Sequence, residues 1–348
     1  MGNPASHRDA VRHGNHDVHR EQIVDGPGAS PRKRAALPHW PGVKIRVLGA
    51  AAGGGFPQWN CNCRNCAGLR AGTIRARART QSSIAVCGTR ESSWALVNAS
   101  PDIRAQLQAN PVLQAGRTLR DSAIAGIVLV DAQVDHTTGL FMLRESSRPW
   151  RIWCTDSAYT DLTVGNPIFK VLGHFCGTER RRIDLHGERF TVEGVAGVQW
   201  QALAIEGKPA PYSPNRENPV PGDNLALVIT DELTGGSAVY APGLGSMDER
   251  LWQHMQSAAC VLLDGTFWTD DEMIRLGASR KRARQIGHLP QSGPGGMLEW
   301  LDKLPSGTRR ILIHVNNTNP ILDEDSREAA ELARRRVEVA WDGMELSL

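Results

Sequence analysis

The segment Ile127-Val-Leu-Val-Asp-Ala-Gln-Val-Asp-His-Thr-Thr-Gly-Leu140 limits the folds open to this chain more than any other. Its first four residues are apolar and three of them are β-branched, which reads as a short buried strand. They run into a polar cluster, after which Leu140, Phe141 and Leu143 read as the start of a helix. A strand that delivers carboxylates, an amide and an imidazole to the loop at its C-terminal end is an α/β active-site layout. Asp135 and His136 cannot both enter a core as neighbours without partners, because an unpaired buried charge is costly. A shared metal ion would satisfy them. So would a helix cap at Asp135 beside a surface histidine, and this stretch alone leaves both open.

Length and charge narrow the class. A chain of 348 residues can bury a sizeable core as one large domain or two. A net charge of +3 gives no argument for a nucleic-acid or membrane surface. There is no run of about 18 apolar residues for a membrane span, and no apolar stretch near the N-terminus of the secretory type. Seven cysteines, an odd number with only three clustered, favour a reducing compartment over a disulfide framework. A cytoplasmic location is expected. Residues 1–42 are rich in Gly, Pro, His and Arg without apolar periodicity, so a disordered leader is expected there. His7, His13, His16 and His19 read as part of that basic leader rather than as a metal site.

Cys61-Asn-Cys63-Arg-Asn-Cys66 puts three thiols in a polar turn, where they pack badly as small hydrophobes. Zinc suits them, since thiolates bind it at ~2.3 Å and a fourth ligand closes a structural site. Redox or packing roles are the alternatives. Cys87, Cys154, Cys176 and Cys260 sit singly on apolar runs and read as core. Lys44 to Gly49 alternates as a strand and ends in Ala50-Ala-Ala-Gly-Gly-Gly55. That turn lacks both dinucleotide spacing and a P-loop lysine, so its glycines read as close backbone approach beside a site. Two strands are expected between Arg79 and Asn98 around a polar turn, then a helix from Ile103 with Ser100 as N-cap and Pro101 at its first position. Further expectations are a strand at 151–155, a helix over 157–173 ended by Gly173, and a hairpin joining 224–230 to 237–240. His174 and His186 read as ordinary surface or capping residues. Buried strands end at Asp264 and at His314, and the stretch from Val337 to Met344 reads as a final strand.

The Asp135-His136 loop resembles the first metal motif of the metallo-β-lactamase superfamily, His-x-His-x-Asp-His between a strand and a helix. Asp131 and Gln133 stand at the two leading histidine positions, whereas Asp135 and His136 match. From about Lys44 to Leu348 the chain resembles the coenzyme PQQ (pyrroloquinoline quinone) synthesis protein B family. The strings that carry this are AAGGGFPQWNCNCRNC at 51–66, RTQSSIAV at 79–86, NASPDIRAQL at 98–107, DHTTGL at 135–140, LLDGTFW at 262–268, GHLPQSGPGGM at 287–297 and HVNNTNPILDED at 314–325. The resemblance implies an α/β (α+β) fold, the αββα sandwich of two mixed sheets flanked by helices, as one domain over 43–348. Because it starts at Lys44, residues 1–42 are expected to be a start-site artefact, with Val43 specified by an alternative initiation codon.

In that superfamily the first two histidines help hold one metal, and the Asp-His pair with a late histidine holds the other. His314 matches the late histidine, so Asp135, His136 and His314 are the expected ligands, with Asp131 and Gln133 as further candidate contacts. Pro242 stands where a metal-bridging Asp would be. Asp102 lies where a supporting Asp is found, although favouring the helix dipole is its simpler role. Gly287-His288 resembles the motif that sets a proton-donating histidine over the metals, and Asp264 would support a ligand histidine or bind substrate. The Cys61, Cys63 and Cys66 zinc is expected to take its fourth ligand, Asp or Asn, from 316–325.

Two imidazoles and one carboxylate with open positions suit non-haem Fe(II) oxygen chemistry, while two-metal hydrolysis wants more ligands. The family is implicated in making PQQ from a peptide-derived Glu–Tyr unit, so the resemblance implies hydroxylation of the tyrosine ring. Arg79, Arg104 or Arg144 would bind the carboxylate-rich substrate, with His288 as proton donor or substrate contact and Asp264 beside it. The expected partners are a small-molecule or dipeptide PQQ precursor and other proteins of the pathway, with no nucleic acid and no membrane. A homodimer is compatible with the chain. A carrier of PQQ or its precursor and a metal-dependent hydrolase are the rival readings.

Overall fold

Several strands are buried along their whole length, among them Ser83–Cys87, Trp94–Val97 and Cys260–Asp264. Strands with no solvent face must be covered on both sides, so such a sheet needs a second sheet below it and helices above. The computed structural model describes residues 42–89 and 93–348 and has this layering. The leader expected at 1–42 falls, up to residue 41, outside the described residues, as do its histidines and the start-site reading.

In chain order the strands are β1 (Lys44–Gly49), β2 (Ser83–Cys87), β3 (Trp94–Val97), β4 (Ile124–Val128), β5 (Trp150–Cys154), β6 (Thr178–Arg182), β7 (Arg189–Phe190), β8 (Val198–Ala204), β9 (Leu225–Asp231), β10 (Ser237–Ala241), β11 (Cys260–Asp264), β12 (Arg309–Ile313), β13 (Val337–Val339) and β14 (Glu345–Ser347). Among the described residues they form two sheets of seven strands each, ordered β14-β1-β2-β3-β4-β5-β6 and β13-β12-β11-β10-β9-β8-β7. Both sheets are mixed. The runs β3 to β6 and β10 to β13 are parallel, and the remaining pairs are antiparallel. Ile45, Val97, Trp200, Leu227 and Tyr240 belong to the cluster shared by the two sheets. Leu251, Met255 and Leu301 cover the second sheet, and Ile103, Leu140 and Ile168 cover the first. The expected αββα sandwich is the fold. Among the described residues no helix is long and apolar enough to cross a membrane.

Four local expectations need correction. The helical turn after β4 begins at Val134 rather than Leu140 and carries Asp135 and His136 itself. It can do so because Asn98, at φ 62°, turns its amide oxygen onto the Val130 amide (3.2 Å) and steadies the loop from the neighbouring strand. The helix expected over 157–173 is broken into Asp156–Thr160, a wide turn at 161–165 and Ile168–Leu172, because Pro167 cannot continue the ladder. The final strand is two: β13 edges one sheet, Asp342-Gly343 turns the chain, and β14 pairs with β1 in the other. The β9–β10 hairpin has the expected partners, with Ser237 opposite Thr230. Ser100 does not cap the next helix. Its hydroxyl accepts from the Asp102 amide in a local turn, and the helix starts at Ile103.

Candidate metal centre

Parallel strands release their side chains at one edge, and β4, β11 and β12 end together there. Asp135 and His136 follow β4, Asp264 ends β11, and His314 follows β12. His314 has φ 60°, a left-handed conformation that costs a non-glycine residue energy and is held only where the surroundings insist. The twist brings its Nε2 to 3.1 Å from Asp135 Oδ2. On the other side, His136 Nε2 lies 3.9 Å from the same oxygen.

The far nitrogens of these rings fix what the near ones can do. His136 Nδ1 faces both oxygens of Asp131 at 2.8 Å, so it carries the proton and leaves Nε2 bare. That Nε2 is buried and has no hydrogen-bond partner. His314 Nδ1 donates to the Thr266 hydroxyl (2.9 Å), which in turn donates to Asp264 (2.6 Å), so Nε2 is the nitrogen left to face Asp135. The two Nε2 atoms and the carboxylate converge within 4.8 Å of one another, an arrangement that calls for a cation between them, a proton or a metal ion. Burial opposes charge on His136, but Asp131 and Asp135 outweigh it and hold the imidazole up to about 9 when no ion is bound. Burial likewise opposes charge on Asp135, yet His136 and His314 hold its carboxyl well below the usual carboxylate range. The donor set therefore fits one divalent metal ion.

Asp131 serves that set from behind. It touches His136 and the Gln133 amide rather than the converging atoms. Gln133 turns away too, and its side-chain amide donates to the Lys208 carbonyl at 2.9 Å. Asp264 is wholly buried, and its oxygens are taken by the Leu244 and Thr266 amides, the Thr266 hydroxyl and His288 Nδ1 (2.7 Å). It positions His288 and, through Thr266, His314, and has no oxygen left for substrate. His288 points its other nitrogen away from Asp264, with its ring near-parallel to His314 at 5.7 Å. The glycine turn after β1 does approach the site closely: a Cβ on Gly53 would lie 3.4 Å from Asp135 Oδ2. Asp102 supports that turn at one remove, since it accepts from Gln81, whose side-chain oxygen accepts from the Gly54 amide.

A cavity of about 330 Å³ opens over the centre, within the range of small-molecule sites. The arginines expected to bind substrate are not in it. Arg79 is buried and donates to the Ala340 and Arg77 carbonyls, Arg104 is exposed on its helix, and Arg144 lies over the Phe175 ring. The basic side chains that line the cavity are Lys208 and Arg216, both on the long connection from β8 to β9. Sequence reasoning passed over them because nothing local marks Gly-Lys-Pro-Ala-Pro as lying opposite β4.

The second expected metal group is also assembled. Cys61, Cys63 and Cys66 place their sulfurs within 4.8 Å of one another, and all three are free thiols. Burial pushes the Cys63 thiol up to about 12 with no ion bound, a cost that a coordinated cation would reverse. Of the expected segment, Asn317 reaches the sulfurs, its amide 3.3 Å from Cys66 Sγ, whereas Asp323 pairs with Arg64. Asn65, in the first turn of the Arg64–Ala71 helix, donates to the Asn317 and Asn319 carbonyls. The cysteine loop thus grips the turn that follows His314.

A profile described as a β-lactamase superfamily domain matches residues 93–315. A coenzyme PQQ synthesis protein B from Azoarcus sp. (strain BH72) is 63% identical over 306 residues, covering 88% of this chain and 100% of the relative. The chain belongs to the coenzyme PQQ synthesis protein B family. A second member, from Methylobacillus flagellatus, is 56% identical over 307 residues, again 88% of this chain and 100% of the relative. The crystal structure of a Zn²⁺-bound PqqB from Methylobacterium extorquens superposes with a TM-score of 0.79 at 35% identity, covering 88% of this chain and 100% of that one. Within the metallo-β-lactamase superfamily this family therefore keeps the fold. In this chain Asp131 and Gln133 stand where that superfamily's motif has its leading histidines, and they are engaged elsewhere.

Proposed function

We propose that this protein acts in pyrroloquinoline quinone synthesis, the role its relatives' names give to them, by hydroxylating the tyrosine ring of a peptide-derived Glu–Tyr precursor at a single iron(II) ion. The observation that supports it is the convergence of His136 Nε2, buried and without a hydrogen-bond partner, and His314 Nε2 on the one carboxylate of Asp135. Two histidines and a carboxylate with open positions are the donor set of non-haem iron oxygenases. Iron held there would supply the activation of dioxygen. The overall change puts one oxygen atom of O₂ into a ring C–H bond and releases the other as water, with two electrons and two protons from an external reductant. His288 Nδ1 donates to Asp264, which leaves Nε2 to hold or pass a proton at the ring oxygen. Burial opposes charge on His288, but Asp264 overcomes it and raises its affinity for that proton. Thr266 and Asp131 keep the ligand rings in their tautomers.

Two-metal hydrolysis is disfavoured by the same geometry. Gln133 and Asp131 are committed to Lys208 and His136, and Pro242 offers no carboxylate after β10. The test is anaerobic reconstitution with Fe(II), addition of a Glu–Tyr dipeptide and a reductant, then exposure to ¹⁸O₂. Gain of one labelled oxygen atom in the product supports the hydroxylase. No gain, with tight binding of finished PQQ, replaces it with a carrier.

A further inference from the structure

The position from which the superfamily's metal motif has lost a histidine is not idle in this chain. Gln133 Nε2 donates to the Lys208 carbonyl. From the other side Gly287, at φ 89°, packs so tightly that a Cβ there would lie 2.5 Å from the Lys208 nitrogen. The backbone of Lys208 is thus clamped between the metal loop and the Gly287-His288 turn. The next residues add a second cation: Arg216 donates to the Pro209 carbonyl and lines the same cavity. Neither Lys208 nor Arg216 forms an ion pair among the described residues. The acids of this cavity, Asp131 and Asp135, are engaged by histidines.

Lys208 also lines a neighbouring cavity of about 600 Å³, which shares Asn224 and Gly287 with the first and adds Arg250 and Arg284. Its acids are Glu206, which accepts from Ser246, and Asp223, which accepts from Ser157 and Asn215. Lys208, Asn224 and Gly287 thus line both cavities, the one over the candidate metal ligands and the one beside it.

We infer that Lys208 and Arg216 are the specificity residues of this site, recognising a small molecule with two or more carboxylates, and that Gln133 is the positioning residue that holds Lys208 over the metal. This rests on the single-ion reading of the centre but not on hydroxylation. An ammonium and a guanidinium without acidic partners are a ready match for two carboxylates, and Arg accepts one in bidentate fashion.

The test is binding without turnover, by calorimetric titration of the metal-loaded full chain with Glu–Tyr dipeptide and with the same dipeptide amidated at each carboxylate in turn. Lys208→Gln and Arg216→Gln should each weaken the dicarboxylate about tenfold or more, a charge-assisted hydrogen bond being the thing removed. Each should leave one of the two mono-amides almost unaffected, and Lys208→Arg should restore most of the loss. Gln133→Leu should weaken the acid without changing metal content. If the variants bind the dicarboxylate as the native chain does, or lose acid and amides equally, the inference is overturned. Should a variant not fold, the native chain still decides: dicarboxylate affinity must fall with added salt more steeply than amide affinity, and equal slopes overturn the idea. Oxygen incorporation failing while these patterns hold would remove the hydroxylase and leave the recognition. Incorporation without them would do the reverse.

Discussion

Each candidate ligand in this protein is defined by the partner on its other side. His136 would bind an ion through Nε2 because Asp131 holds Nδ1, and His314 would do so because Thr266 and Asp264 hold its Nδ1. Asp131 is therefore worth testing although it touches no ion. Asp131→Asn can present an amide oxygen or an NH₂ to the ring, so the tautomer is no longer enforced and the carboxylate's charge is gone. We expect metal affinity to fall roughly 10- to 100-fold, the usual loss for such supporting carboxylates, measured by competition against a chelator. Unchanged affinity would show that Asp131 only packs there.

At the scale of elements, the cysteine loop and the β12 exit are one assembly. The Arg64–Ala71 helix carries Cys66 and Asn65, and these meet Asn317, three residues beyond His314. A zinc ion on the thiolates would tie the two segments together, and structural zinc contributes directly to folding. Cys66→Ser is expected to lower the zinc content by one equivalent and the melting temperature by several degrees. It should also weaken the ion at Asp135 and His136 through the loosened His314, read by metal analysis of both sites. Loss of zinc with no effect on the second ion would separate the two. The glycine turn at 53–55 shows the same dependence in the opposite direction, because its lack of side chains lets backbone come against Asp135.

For the whole molecule, buried Glu272 sets a pH dependence. It accepts from the Trp268 amide and the Thr318 hydroxyl, but burial outweighs these bonds and pushes its carboxyl up to about 7. The unfolded chain releases that proton near 4.5, so between about 4.5 and 7 the folded state binds more protons. Stability from this group is full at acid pH and is lost as pH rises through that window. Glu272→Gln should flatten the slope and be the more stable protein at pH 7.5, in paired urea titrations at several pH values. Parallel slopes would mean that Glu272 is ionised throughout.

Periodicity was enough to locate β1 to β5, the β9–β10 hairpin and the buried strands ending at Asp264 and His314, because burial on both faces leaves an uninterrupted apolar run that water cannot tolerate. Residue chemistry was enough for the cysteine cluster, whereas for Asp135 and His136 it left a helix cap open and the family resemblance pointed to a cation. Strand order was not written in any segment. Nor was the meeting of Lys208 with Gln133, 75 positions apart, or the role of Arg79, whose charge looked suited to a substrate and instead ties down the Ala340 carbonyl. Contacts of that kind cost chain entropy that no local pattern records, and they arise only once the two sheets close on each other. The tertiary structure therefore decided which cations face the cavity, while the sequence had already supplied the side chains that could hold a metal.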